Sequence, residues 1–179
     1  MADDTVSLKY TDERDKAYGL VGMAITLVAC DGQDLLAHIS LDADADGDFE
    51  MTHEFFFRGN PRMAAKYLWT ANLRHLSIAA RMILGNAVCR AYVLRGKREL
   101  GEDCRRAIRT VIRDVAVEAC SLDDEEARSL FDDSFSYVHR LFSHVGVHSI
   151  ADNFSEELRR RREMSASEVV ELLNRLGVR

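Results

Sequence analysis

A chain of 179 residues with 47% apolar and 30% charged side chains has the composition of a folded globular domain, not of a disordered segment. At this length about 70% of the unfolded chain's surface can be buried, enough for one core, so a single domain over residues 1–179 is expected. The net charge of -6 argues against a broad nucleic-acid-binding surface.

The charge is uneven. Residues 1–57 carry 3 basic and 13 acidic side chains, residues 58–121 carry 13 and 5, and residues 122–179 carry 8 and 12, so acidic and basic segments can neutralise one another across the fold. Cys30, Cys89, Cys104 and Cys120 form no C-x-x-C pair. That spacing indicates neither a zinc knuckle nor a disulfide framework, and the four are expected to be small buried hydrophobes in a reducing cytoplasm. The first apolar run, Ala17 to Ala29, is about half a membrane crossing and follows a charged turn, so no signal peptide or membrane span is expected.

In chain order, Thr11 is the expected cap of a first helix over 11–30, with Asp12, Glu13 and Asp15 favouring its positive end. Its body is apolar nearly all round, the pattern of a helix buried on most sides, and Asp31 and Gly32 end it. The period then changes to two: Leu35, Ala37, Ile39 and Leu41 alternate with polar or outward positions, and the rhythm returns in Phe49, Met51, His53, Phe55 and Phe57. Residues 34–57 therefore predict an antiparallel β-hairpin closed through Asp44, Ala45, Asp46 and Gly47.

Asn60 and Pro61 mark the start of a long central helix, in which Lys66, Thr70, Arg74, Ser77 and Arg81 form a narrow polar stripe. Unbroken to Leu94 it would run about 50 Å, so it either bends near Gly85 or projects into a partner. A further helix carries the stripe Cys104, Ile108, Val111, Ile112, Val115 and Ala119. Ser121, with Asp124 three residues on, is the expected cap of the next, which repeats apolar residues from Ala127 to Val145 and ends at Gly146. The helical core is thus 61–145. In the C-terminal segment, 150–179, Asp152 to Glu163 predicts a polar helix or linker, and Ser165 with Glu168 a capping box flanked by the staple pair Met164 and Val169.

Four features bear on chemistry. Asp42, Asp44, Asp46 and Gly47 match the first half of a calcium loop, but His53 stands where a bidentate glutamate is needed and the flanks predict strands, so a solvated turn is the expectation. His144, His148 and Asp152 are spaced by four; with His139 and Asp132 nearby they are the candidate metal ligands or acid–base groups of an enzyme, provided one helix carries them past Gly146. Ending the helix at Val145 instead leaves His144 in a last turn. Arg140 to His144 resembles, over five residues, the arginine-to-histidine motif of helical HEPN-type ribonucleases; its gap is shorter than that family's, and no activity is carried over.

Arg105, Arg106, Arg109 and Arg113, with the run Arg159 to Arg162, are the candidates for phosphate contacts in a helical nucleic-acid-binding protein. Phe55, Phe56 and Phe57 are consecutive, so they point to both faces of a strand, and one face needs a cover from outside or from another helix of the chain. The expected fold is mainly α (α+β), four to five helices around the long central one with one hairpin near the N-terminus. The expected function is a non-enzymatic cytoplasmic interaction or structural module, bacterial in type and self-associating as a homodimer or bound to a protein partner through Phe55, Phe56 and Phe57. It uses no cofactor.

Overall fold

The computed structural model describes residues 8–52, 55 and 65–177. Among them six α-helices and a small antiparallel sheet confirm the mainly α class. Helix α1 spans Glu13–Ala29 and is buried along nearly its whole body, as its all-round apolar sequence requires. Its cap is Asp12, not Thr11: the extended Asp12 accepts from the Asp15 amide at 2.8 Å. Asp31, at φ 55, turns the chain out of the helix, a conformation that Asp tolerates better than most residues.

Strands β1 (Leu36–Ser40) and β2 (Phe49–Met51) form the predicted hairpin. Its alternation is broken by an irregular pairing between Leu36 and His38, which turns Leu36 inward beside Leu35. The second strand is shorter than its two-residue rhythm predicts, since Phe55 lies in a turn after Thr52. His53, Phe56, Phe57, Asn60 and Pro61 lie outside the described residues. A third strand, β3 (Glu163–Ser165), completes the sheet in the order β2-β1-β3, tying the C-terminal segment to the hairpin.

Helix α2 runs Ala65–Cys89 and continues as a widened π turn over Arg90–Leu94. Gly85 is its point of closest contact with α1. A Cβ on Gly22 would stand 2.3 Å from the Gly85 carbonyl oxygen, and one on Gly85 would stand 2.2 Å from Thr26 Oγ1. The two backbones therefore touch where only glycine fits. The stretch Asn72–Leu94 has the length and hydropathy of a membrane-crossing helix, and 67% of its most apolar window is buried inside the protein.

Helices α3 (Glu102–Cys120) and α4 (Asp124–Phe142) pack on α2, while α5 (Val145–Arg161) and α6 (Ala166–Leu176) pack on α1. The spine is thus the α1–α2 pair, not the central helix alone. Ser121 does not cap α4. It takes a left-handed conformation that ends α3, and Asp123 caps α4 in a box with Glu126, whose longer side chain reaches back as an aspartate at 124 could not. The box at Ser165 and Glu168 forms as predicted, with Met164 and Val169 both buried beside it.

Candidate functional site

The largest buried side chain is Arg90, at the start of the π turn, and it meets Asp15; each is 1% exposed. The arginine grips the carboxylate with two N–H groups, Nε to Oδ1 at 2.8 Å and Nη2 to Oδ2 at 2.5 Å. Arg95 adds a contact at 2.9 Å and the Thr11 amide one at 3.0 Å. Burial pushes the Asp15 carboxyl up, but the hydrogen bonds from Arg90, Arg95 and Thr11 outweigh it and hold it down at about 2. Tyr10 completes the cluster, its ring under Arg90 and its hydroxyl accepting from Asn86. Every charge here is answered from within the chain, so the cluster anchors α1 to α2 and offers no group to a substrate.

Among the described residues no group of three His, Cys, Asp or Glu side chains could hold a metal ion. His144 is not in the last turn of α4, which ends at Phe142; it is the exposed, extended N-cap of α5. Gly146 does not break a helix but lies in the first turn of α5, because the apolar stripe of α4 closes with Phe142 and a new one opens at Ala151, Phe154 and Leu158. His148 and Asp152 do share α5, one turn apart. Yet His148 Nε2–H donates to the Phe142 carbonyl at 2.6 Å, and the Tyr18 hydroxyl donates to Asp152 Oδ1 at 2.7 Å. His139 is hydrogen-bonded to the Tyr92 hydroxyl at 2.8 Å. Asp132 is exposed on α4.

Two carboxylates at the ends of the acidic turn, Asp42 and Asp48, meet protein cations. Asp42 pairs with Arg162, whose guanidinium also meets Glu13 at 2.9 Å, and Lys16 donates to the Leu41 and Ala43 carbonyls while facing Asp48 at 3.7 Å. The pairing between the acidic N-terminal segment and the basic middle one is made by Asp15 with Arg90 and Arg95, whereas these contacts join the acidic segment to Arg162 and to its own Lys16. All four cysteines are free thiols. Burial pushes Cys89, Cys104 and Cys120 above the ordinary thiol range, which makes them poor nucleophiles. Half-exposed Cys30 accepts from Arg81 at 3.6 Å.

The arginines of α3 stand along its groove with α4. Arg105 stacks over Phe135 at 4.7 Å and Arg109 over Phe131 at 4.8 Å, while Arg113 Nε meets Asp124 at 2.7 Å. Arg106 turns away toward Asp103 at 3.7 Å. Of the later run, Arg160 and Arg161 share Glu157, and Arg159 faces Glu13 at 3.7 Å. Arg109, Arg113 and Arg128 line a cleft of about 320 Å³ with Asp124 and Ala127.

Two apolar features stand apart from these polar clusters. Phe55 packs on the core and stacks on His75 of α2, ring centres 5.4 Å apart. Beside this pair the buried His75 Nδ1 and Thr52 Oγ1 have no hydrogen-bond partner. On α3 the buried ridge is Cys104, Ile108, Ile112, Ala116 and Cys120, not the predicted stripe: Val115 is 37% exposed and Ala119 is exposed, because packing along an i, i+4 ridge carries the contact around the helix. Val117 is 46% exposed. Ala116 and Cys120, between and beyond these residues, pack with Leu73 and Leu76 of α2, next to His75.

Sequence reasoning missed the Asp15–Arg90 pair and the contribution of Arg128 to the cleft. The first had a signal, a lone charge between Met82 and Leu94. The chain matches no known protein-family model and no curated protein.

Proposed function

We propose that this chain is a non-enzymatic protein–protein interaction or structural module of a bacterial-type cytoplasm, self-associating as a homodimer. The contact residues we propose are Phe55, Phe56 and Phe57, and, as a second patch, the exposed Val115, Val117 and Ala119 of α3. The observation that carries this reading is the apolar surface that α3 leaves uncovered, Val115 at 37% and Val117 at 46% exposure.

The test is sedimentation velocity on the full chain and on two variants, Phe57→Asp and the double change Val115→Glu with Val117→Glu. Both variants should stay folded by circular dichroism and sediment as monomers where the parent sediments as a dimer. A parent that is monomeric at about 100 μM, well above the micromolar range of weak specific complexes, or folded variants that remain dimeric, would remove the proposal.

A further inference from the structure

We infer that the cleft between α3 and α4 is a binding site for one compact phosphate-class dianion, held by Arg109, Arg113 and Arg128. Three guanidinium groups face one carboxylate, Asp124, around about 320 Å³ of space, the lower end of small-molecule pockets. Among the described residues, Arg90, Arg95, Arg160, Arg161 and Arg162 are each paired with a carboxylate. Here Arg109 and Arg128 have no ion pair or hydrogen bond among the described residues, and the buried Nε of Arg109 has no hydrogen-bond partner.

The groups are also oriented. The Arg109 guanidinium sits over the Phe131 ring, 4.8 Å from its centre, a cation–π contact that restrains the side chain and lowers the entropic cost of binding. Asp124 takes the Nε–H of Arg113 at 2.7 Å, steadying that side chain and leaving its Nη groups to a ligand. The arrangement suits tetrahedral oxygens, which accept bidentate hydrogen bonds from several arginines at once. A cation would meet three positive charges. An extended polyanion such as nucleic acid would run onto the exposed Glu125, Glu126, Asp132 and Asp133 of α4. The neighbouring cavity sets Lys97 and Arg105 against Glu99 and Glu102, and so has no preference for an anion.

The experiment is calorimetric titration of the full chain with inorganic phosphate, and separately with phenyl phosphate, at constant ionic strength in sodium chloride. Saturable one-to-one binding is expected. Arg128→Gln, on an exposed position that leaves the fold intact, should weaken it about tenfold, and Arg109→Gln at least as much. Arg106→Gln, outside the cleft, should change nothing. Tighter binding of phenyl phosphate assigns the site to phosphomonoesters, and equal or weaker binding assigns it to the free anion. Absence of saturation by about 20 mM phosphate, far above a millimolar dissociation constant, would overturn the inference. So would unchanged affinity in Arg128→Gln, or an equal loss in Arg106→Gln, which would mark general charge attraction.

Discussion

The half of the molecule built on the α1–α2 crossing and the half built on the α3–α4 hairpin are held by different chemistry. At the crossing, backbones touch through Gly22 and Gly85 and a fully buried ion pair joins the two helices. The hairpin is joined to α2 in part by a thin layer of small residues, Ala116, Cys120 and Ala127 around Leu76, with arginines laid over phenylalanine rings between its own helices. The difference teaches where each kind of change is tolerated. The first half is closely packed, while the second presents arginines and open apolar positions at its surface.

The largest effect should come from Asp15→Ala, which leaves Arg90 charged and buried. Chemical denaturation should show a loss of about 3–5 kcal/mol. The same carboxylate gives a pH signature. Its pKa is lowered to about 2 in the fold, so its stabilisation is present above the unfolded carboxylate value near 4 and is lost as pH falls from there through 2. Denaturant midpoints between pH 5 and 2 should fall more steeply for the parent than for Asp15→Ala. Next in size, Gly22→Ala places a methyl group against the Gly85 carbonyl and should cost about 1–3 kcal/mol. Gly146→Ala, with open space around its Cβ, should be neutral or stabilise by up to about 1 kcal/mol.

In the hairpin, Arg113→Ala removes an exposed ion pair with Asp124 and should change stability by less than about 1 kcal/mol. A larger loss there would mean that the two halves are less different than their packing indicates.

What could be read from the sequence follows from range. The Ser165–Glu168 capping box and the buried character of α1 depend on neighbours along the chain, and both were legible. Strand β3 was not, since three residues with one apolar side chain carry no period, and only pairing with distant β1 defines them. Helix α5 was split in reading by Gly146, a residue that a first helical turn accommodates. Asp15 resembled an ordinary acid at a helix start, because its partner lies 75 positions away. Of the functional candidates, the phenylalanine run stands out by composition alone. The arginine cleft required α4 to fold back and bring Arg128 to Arg109.

The most direct measurement is a native mass spectrum of the protein as purified. Self-association predicts intact multiples of the 20.3 kDa chain, with the dimer growing as concentration rises. A single species at 20.3 kDa across the accessible concentration range would contradict it.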